Sequence, residues 1–473
     1  MRNYPDFYVN GAWVTPLQPL PFEVINPANE EVVGRISLGN AADVDAAVQA
    51  ARRAFPKWST TSREERLEIL TRVVDEYRRR IEDISLAITE EMGAPKSLSR
   101  KSQATSGLAH LETAISVLRT FQFEDQRGTT TVVKEPIGVC ALITPWNWPM
   151  NQIACKVAPA LATGCTIVLK PSEIAPFSPY LFAEILHAAG VPPGVFNLIN
   201  GDGQTVGSAL ASHPDVDMVS FTGSTRAGIE VARAAAAGVK RVAQELGGKS
   251  PLIILPDADL ERAVAAGVRQ VMGNSGQSCN AATRMLVSRP DIDKVTAIAK
   301  RLVEAIRVGD PNDDVDMGPV VSRAQWTKVQ KLIATGIEEG AALVIGGPGL
   351  PAGLSKGHYV KPTIFTNVNN GMRIAREEIF GPVLTIIPYG SLDEAIEIAN
   401  DTEYGLAAYV WGADKATLRR FASQLRAGRV CFNGASGNLF APFGGYKKSG
   451  NGREWGEYGF HEFLEVKAIL GLE

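Results

Sequence analysis

Cysteine is scarce in this chain, which has five among 473 residues. They are scattered along the sequence, at Cys140, Cys155, Cys165, Cys279 and Cys431. A small disulfide scaffold needs a dense and even set of cysteines, so this class of protein is excluded. We therefore predict a reducing, cytoplasmic environment.

A surplus of charge of either sign is also missing. The 48 Lys and Arg residues nearly balance the 51 Asp and Glu residues, and the net charge is -3. Nucleic-acid binding and polybasic membrane anchoring both need a basic surplus, so neither partner is expected. The sequence has no apolar run of about 18 residues, and residues 1–11 lack the apolar region of a signal peptide. Neither a membrane span nor a metal site is predicted.

The pattern that is present alternates between strands and helices. Residues 41–55 and 63–80 carry apolar residues at helical spacing, with Asp43 and Ser62 as expected N-caps. From Gly138 onward, short runs rich in β-branched residues alternate with helical segments, which is typical of right-handed βαβ units. The predicted strands lie within 139–145, 166–172, 195–201, 218–224, 241–248 and 251–257. We predict an α/β protein with a doubly wound parallel sheet, and a length that favours about three structural units.

A second α/β region is expected between about residues 260 and 433. Its clearest elements are a helix in 293–306 and strands in 342–345, 383–387 and 429–433. Two polar, β-prone segments, 128–135 and 463–470, do not belong to a compact core. They are either ordinary edge strands or strands that pair with another subunit.

Cys279 stands out as a candidate nucleophile. It lies in the small, polar sequence NSGQSCNAATR, which suits a tight loop that brings a thiol towards solvent. A thiol is a good covalent catalyst when its pKa is lowered or a base lies nearby. The other four cysteines lie in apolar runs and are predicted to be core residues. The alternative for Cys279 is that it, too, is a small buried core residue.

Two polar residues follow predicted strands, where ligands of doubly wound sheets bind. Glu245 ends an apolar strand and enters a glycine turn, so it is a candidate general base; capping or ion pairing is the alternative. Asn147, in TPWNWP, could donate its amide to an oxyanion or form an Asx turn before Pro149.

The sequence also contains candidate nucleotide contacts. Lys170 and Glu173, in KPSE, suit the hydroxyls of an adenosine ribose, or else lie in a solvated loop. Two glycine clusters, within 201–207 and 221–225, could bind phosphate or could simply be strand-to-helix turns.

Taken together, seven motifs resemble those of the NAD(P)-dependent aldehyde dehydrogenase superfamily. They occur in the order of that family and cover nearly the whole chain: TPWNWP (144–149), KPSE (170–173), FTGST (221–225), ELGGK (245–249), GQSC (276–279), EEIFGPV (377–383) and PFGGYKKSG (442–450). The resemblance implies an NAD-binding domain (1–115 and 137–246), a catalytic domain (247–448) and a small β oligomerisation arm (116–136 and 457–473). It also implies a homodimer or homotetramer.

The same resemblance implies roles for individual residues. Cys279 would be the nucleophile and Glu245 the general base, with Asn147 and the Cys279 backbone N–H forming the oxyanion hole. Lys156 and Glu454 would relay protons to the base. The cofactor would be NAD, with NADP weaker because the Glu173 carboxylate repels a 2′-phosphate. The expected cofactor-binding residues are Thr144, Pro145, Trp146, Lys170, Ser172, Glu173, Gly203, Gly207, Phe221, Gly223, Ser224, Leu246, Gly247, Glu378 and Phe380.

The substrate tunnel is where the sequence departs from the family. Two positions that are aromatic in many relatives are Cys155 and Gly437 here. Small side chains leave volume, so we predict a medium-to-long or aromatic aldehyde, or an oxo-acid, rather than acetaldehyde. The other expected substrate residues are Trp148, Asn151, Gln152, Ser278 and Phe443.

Two other functions stay open at this point. A CoA-acylating aldehyde dehydrogenase usually lacks the hydrolytic glutamate, so Glu245 argues against it. A non-catalytic structural member of the fold is disfavoured because Cys279, Glu245 and Asn147 are all present.

Overall fold

The computed structural model describes residues 1–471, and an eight-stranded sheet organises its first half. From edge to edge its strands are Gly450–Asn451, Arg241–Glu245, Met218–Thr222, Val139–Ile143, Thr166–Lys170, Phe196–Leu198, Phe7–Val9 and Ala12–Val14. The middle five strands are parallel and almost entirely buried, because their residues are apolar on both faces. We call this the first sheet.

The order of the parallel strands locates the ligand crevice. The first of the five parallel strands in chain order is Val139–Ile143. Thr166–Lys170 and Phe196–Leu198 follow on one side of it, and the chain then returns to add the next strands on its other side. This reversal is the doubly wound topology that the strand–helix alternation predicted. Ligands bind at the carboxyl ends of the two strands that flank the reversal, Val139–Ile143 and Met218–Thr222.

Helices cover both faces of the first sheet. They span Ala41–Trp58, Arg63–Met92, Lys96–Leu98, Ala104–Thr120, Pro149–Thr163, Phe177–Ala188, Ser208–Ser212 and Thr225–Ala236, with π-helical turns at Ser99–Gln103 and Gly203–Gly207. No helix within residues 1–471 has both the length and the apolar character needed to cross a membrane.

One predicted N-cap is correct and the other is wrong. Ser62 caps its helix by accepting from the Glu65 backbone N–H. The N-cap of the preceding helix is Asn40, whose side chain accepts from the backbone of Ala42 and Asp43. The Asp43 carboxylate accepts the Asn40 backbone N–H in return, so Asp43 is the other half of a capping box.

A second, seven-stranded sheet follows. Its order is Ala342–Ile345, Thr363–Thr366, Val383–Tyr389, Arg284–Ser288, Pro251–Ile254, Ala407–Trp411 and Arg429–Phe432, and the first of these strands alone is antiparallel. The helices that pack on it are Leu260–Met272, Ile292–Glu304, Arg323–Glu338, Arg373–Arg376, Leu392–Asn400 and Lys415–Gln424, with 3₁₀ turns at Gly273–Gly276 and Arg289–Asp291. The first and second sheets are therefore both α/β units, as predicted.

The two polar segments pair with each other in a small antiparallel sheet. Its strands are Glu124–Arg127, Thr130–Pro136 and Leu464–Leu470. The predicted arm spans are longer than this sheet: 116–120 lies in the helix Ala104–Thr120, 457–462 lies in the helix Gly456–Glu462, and residues 472–473 lie outside the described residues. The boundaries of the three domains stay a prediction. Minor sheets join Arg2–Tyr4, Leu20–Ile25 and Val32–Leu38, and Tyr404–Gly405 with Tyr446–Lys447.

Candidate active site

A cavity of about 210 Å³ lies at the carboxyl ends of the first sheet, where this sheet meets the second half of the chain. We call it the site cavity. Its lining residues are Pro145, Trp146, Asn147, Gln152, Thr222, Gly223, Ser224, Leu246, Gly247, Cys279, Gln325, Lys328, Glu378 and Phe380. Ten of these fourteen come from the residues that the sequence predicted for catalysis or cofactor binding, and Gln152 from those predicted for substrate. The motifs that are distant in sequence therefore converge at the predicted crevice.

The loop that carries Cys279 is held in an unusual backbone conformation. Asn274, Ser275 and Gly276 are three consecutive residues with positive φ. A Cβ atom at Gly276 would lie 2.1 Å from the Gly381 backbone, so only glycine fits there. The Asn274 amide donates to the carbonyl oxygens of Asn147 (2.9 Å) and Gln277 (3.1 Å). These bonds fix the nucleophile loop against the TPWNWP segment.

Cys279 is only partly exposed and lines the site cavity. Burial raises the pKa of its thiol above the ordinary value, and the nearby carboxyls of Glu245 and Glu378 raise it further. The thiol is therefore protonated at neutral pH, and it must lose its proton to a base before it can attack a carbonyl carbon.

Asn147 is aimed at the nucleophile loop. Its side-chain amide donates to the Gln277 carbonyl oxygen at 3.0 Å, two residues before Cys279. The backbone carbonyl oxygen of Asn147 accepts from the side-chain amides of Gln103 and Asn274, at 3.2 and 2.9 Å. The amide nitrogen has a second N–H that can donate, and Asn147 lines the site cavity together with Cys279.

Glu245 is the last residue of its strand and is 4 % exposed. Within residues 1–471 neither oxygen of its carboxyl has a hydrogen-bond partner, so it neither caps a helix nor forms an ion pair. Burial and the charge of Glu454 raise the pKa of the Glu245 carboxyl well above its ordinary value. A carboxyl in this state can accept a proton near neutral pH.

Glu454 and Lys156 form a buried ion pair close to Glu245. The Lys156 ammonium donates to Oε1 of Glu454 and to the Ser220 hydroxyl, the latter at 3.0 Å. The thiol of Cys155 donates to Oε2 of Glu454 at 3.4 Å. Cys155 therefore lies beside the predicted proton relay and does not line the site cavity.

A second cavity, of about 690 Å³, continues the crevice along the first sheet. We call it the nucleotide cavity. It is lined by Ile143, Glu173, Asp202, Gly203, Gln204, Gly207, Ser208, Phe221, Arg226, Ala227, Glu230, Val231 and Ala234. Phe221 lines this cavity and Thr222–Ser224 line the site cavity, so the FTGST segment runs between the two.

Hydrogen bonds fix two of the predicted cofactor residues near these cavities, Ser224 and Glu173. Ser224 is the N-cap of the helix Thr225–Ala236 and accepts from the Ala227 N–H at 3.3 Å. Lys170 donates to the Glu173 carboxylate at 3.1 Å and holds it at the edge of the nucleotide cavity. Lys170, Ser172 and Thr144 line neither cavity themselves.

Glu378 and Phe380 also line the site cavity. The Glu378 carboxylate accepts the Gly248 N–H at 2.9 Å, and a Cβ atom at Gly247 would lie 2.5 Å from its second oxygen. Phe380 packs edge-on against Trp146, with 5.5 Å between the ring centroids. Both predicted positions therefore face the strand ends of the first sheet.

Sequence reasoning missed three lining residues: Thr222, which lies within the FTGST motif, and Gln325 and Lys328, which lie outside every motif. Gln325 and Lys328 lie one turn apart on the helix Arg323–Glu338 and face the site cavity. Gln325 donates to the Phe380 carbonyl oxygen at 2.7 Å, and burial lowers the pKa of the Lys328 ammonium. Their spacing of three residues is compatible with one helix face, but no motif in the sequence marked that face.

The predicted substrate residues do not form one continuous wall. The Trp148 indole donates to the Ser278 hydroxyl at 2.8 Å, next to the nucleophile. The Asn151 side chain is bound to His110 at 2.9 Å. Phe443 stacks on Trp455, with 4.5 Å between the ring centroids.

The space beside Gly437, which the sequence predicts to be free, is occupied. The Arg429 guanidinium lies there, 2.9 Å from where a Cβ atom at position 437 would be.

A thiol, a buried carboxyl and two neighbouring cavities are the arrangement expected of enzymes that combine a thiol nucleophile with a nucleotide cofactor. The chain belongs to the aldehyde dehydrogenase family, whose model matches residues 13–469. This confirms the family resemblance and the enzyme class predicted from the seven motifs.

Curated relatives match from end to end. A 3-succinoylsemialdehyde-pyridine dehydrogenase from a Pseudomonas species is 59% identical over 475 residues, with 100% of both chains covered. A putative aldehyde dehydrogenase from Staphylococcus aureus is 52% identical over 472 residues, which cover 100% of this chain and 99% of the relative.

Solved structures have the same fold. Aldehyde dehydrogenase C from Pseudomonas syringae, a cysteine-to-alanine mutant in complex with NAD⁺ and octanal, is 54% identical with a TM-score of 0.98, covering 99% of this chain and 97% of its own. Betaine aldehyde dehydrogenase from Staphylococcus aureus, in complex with NAD⁺, is 37% identical with a TM-score of 0.96, covering 98% and 94%. The predicted fold class is confirmed.

Proposed function

We propose that this protein oxidises an aldehyde to a carboxylic acid with NAD⁺, through a covalent intermediate on Cys279. The observation that carries the proposal is the state of Glu245. Its carboxyl is buried and has no hydrogen-bond partner within residues 1–471, and its negative charge raises the pKa of the Cys279 thiol. A base in that position can serve both the nucleophile and a water molecule, which is what hydrolysis of a thioester requires.

The two cavities fit a dinucleotide. The close approach of Gly247 to Glu378 leaves no room for a side chain, so the cofactor can lie against the backbone. Glu173 would accept hydrogen bonds from the adenosine ribose, and the N-terminus of the helix at Thr225 would face the pyrophosphate. NAD⁺ supplies the hydride acceptor when it is bound. The NAD⁺ complexes of the P. syringae and S. aureus relatives support this cofactor.

The residues of this chain then perform the acyl chemistry. The Cys279 thiol loses its proton to Glu245, and its sulfur forms a bond to the aldehyde carbon. The Asn147 amide and the Cys279 backbone N–H stabilise the resulting alkoxide. When the hydride leaves that carbon, the alkoxide collapses to a carbonyl and a thioester remains on Cys279.

Hydrolysis completes the cycle. Before hydrolysis, Glu245 passes on the proton that it took from the thiol. It then removes a proton from water, and the hydroxide adds to the thioester carbon. The C–S bond breaks, which releases the carboxylic acid, and the Cys279 thiolate takes back a proton from Glu245. We assign Glu454 and Lys156 to the path by which a proton leaves Glu245, and the effect of Glu454 on the pKa of Glu245 supports this role.

We propose a medium-to-long or aromatic aldehyde, or an oxo-acid, as the substrate. The octanal complex of aldehyde dehydrogenase C supports a long chain, and the 59% identical Pseudomonas relative is named for a pyridine-containing semialdehyde. We further propose a homodimer or homotetramer, because the outer strands of the small three-stranded sheet pair with no further strand among residues 1–471. We also propose a cytoplasmic location.

A product assay tests the proposal. The protein is incubated with NAD⁺ and octanal, with and without coenzyme A, and the products are identified by mass spectrometry. We expect octanoic acid and one NADH per aldehyde consumed, with no effect of coenzyme A. Formation of octanoyl-CoA would instead support the acylating branch of the family, and absence of NADH under all conditions would contradict oxidation.

A further inference from the structure

Arg429 places a cation beside Gly437, one of the residues that the sequence predicts to contact the substrate. It is the first residue of the strand Arg429–Phe432, and one of its Nη atoms lies 2.9 Å from where a Cβ atom at Gly437 would be. Its guanidinium carbon lies 6.0 Å from the centroid of the Trp455 ring, which stacks on Phe443. The arginine thus fills the space beside a glycine that was expected to be empty, and any larger residue at position 437 would displace it.

The register of the second sheet puts this arginine on the same side as the nucleophile loop. Arg429 pairs with Ala407, and Cys431 pairs with Tyr409. Because side chains alternate along a strand, Arg429 and Tyr409 project from the same face of the sheet. The Tyr409 hydroxyl donates to the carbonyl oxygen of Asn280, the residue after Cys279, at 3.0 Å.

The charge of Arg429 has no partner of opposite sign in the part of the chain that the structure describes. The guanidinium lies beside the Trp455 ring and Gly437, and it forms no ion pair with a carboxylate of residues 1–471. The nearby Glu454 is engaged by Lys156 instead. A half-buried guanidinium with free N–H donors binds carboxylates well, because the two groups match in charge and in planar geometry.

We propose that Arg429 selects aldehydes that carry a carboxylate at the end remote from the aldehyde group. This inference rests on the proposed function and names its substrate class as ω-oxo carboxylates. The Trp455 and Phe443 rings contact the carbon chain of the substrate between its aldehyde group and its carboxylate. Arg429 is a specificity-determining residue in this account, since it contacts the substrate away from the reacting atoms.

The test compares substrates in matched pairs. Straight-chain aldehydes and the ω-oxo carboxylates of equal chain length are assayed with NAD⁺, and kcat/KM is measured for both members of each pair. For the best-fitting length, the wild-type protein prefers the oxo carboxylate. Arg429→Gln lowers this preference about tenfold, mainly through KM, because a charge-assisted pair is replaced by a neutral one. Raising the ionic strength also lowers the preference of the wild type for the oxo carboxylate over the plain aldehyde.

Two further variants control the interpretation. Arg419→Gln removes the same charge from an exposed position on the helix Lys415–Gln424 and leaves the preference unchanged. Arg429→Lys retains a charge and keeps part of the preference, so it tests the role even where Arg429→Gln folds poorly. Wild-type oxidation of octanal with no preference, or an unaltered preference in Arg429→Gln, would overturn the role of Arg429 alone. Failure of the wild type to oxidise any aldehyde would overturn the proposed function with it.

Discussion

The thiol of Cys155 donates a hydrogen bond to the Glu454 carboxylate, with 3.4 Å between Sγ and Oε2. Lys156, the next residue along the same helix, donates to the other oxygen of that carboxylate. Adjacent residues therefore hold both oxygens of the carboxylate whose charge raises the pKa of Glu245. This arrangement connects Cys155 to proton transfer, whereas the sequence predicted that it widens the substrate tunnel.

Replacement of Cys155 separates these two roles. Cys155→Ala removes the donor to Glu454, and we expect kcat to fall about fivefold because a hydrogen bond of roughly 1 kcal/mol is lost. Cys155→Ser keeps a donor and should restore most of the rate. Both variants should have the chain-length profile of the wild type in a series of straight-chain aldehydes. A changed profile with unaltered kcat would place Cys155 in the channel wall instead.

Glu245→Gln should slow thioester hydrolysis more than hydride transfer. The amide cannot take a proton from water, so we expect the steady-state rate to fall about 10²- to 10⁴-fold. A rapid-mixing experiment with octanal should still give a burst of about one NADH per active site, formed more slowly than in the wild type because the Cys279 thiol has also lost its base. Loss of the burst in the same proportion as the steady state would show that Glu245 acts mainly on the thiol.

Cofactor preference depends on Glu173. Its carboxylate is held by Lys170 at 3.1 Å, so part of its charge is neutralised, and we expect NAD⁺ to be preferred without exclusion of NADP⁺. Glu173→Gln removes the repulsion of a 2′-phosphate and should raise the NADP⁺/NAD⁺ ratio of kcat/KM about tenfold. Equal efficiencies with both cofactors in the wild type would contradict a role for this carboxylate in discrimination.

Lys249 should make stability depend on pH. Its ammonium nitrogen is buried and has no hydrogen-bond partner among residues 1–471, and burial, with a smaller effect of Arg284, lowers its pKa to about 7. Between this value and the ordinary 10.5 the unfolded chain binds a proton that the folded chain does not, so folding becomes more favourable as pH rises.

Comparison with Lys249→Met isolates this effect. The free energy of unfolding of the wild type should rise relative to that of the variant by about 1.4 kcal/mol per pH unit from pH about 7.5 to about 9.5. Urea unfolding at several pH values measures the difference. A constant difference across that range would mean that Lys249 stays charged in the folded protein.

The positions of strands and of most site residues could be predicted because their signals are local. Buried β-branched runs mark the parallel strands, and polar residues that follow them, such as Glu245 and Asn147, must lie at the sheet edge where ligands bind. Cys279 was recognisable because its neighbours are small and polar.

Other features depend on contacts between distant segments. Asn40 and Asp43 are both good N-cap residues, and only their reciprocal hydrogen bonds decide which one caps the helix. Gln325 and Lys328 line the site because of how their helix packs, which no local pattern shows. The missing side chain at Gly437 predicted free volume, yet a guanidinium from a neighbouring strand fills it.

The central claim is that Cys279 carries the acyl group while the cofactor binds independently of the thiol. The most direct measurement pairs calorimetric NAD⁺ binding with NADH formation from octanal, for the wild type and for Cys279→Ala. We expect near-equal NAD⁺ affinity in both proteins, together with NADH formation by the wild type and none by the variant. Substantial NADH formation by Cys279→Ala would contradict it.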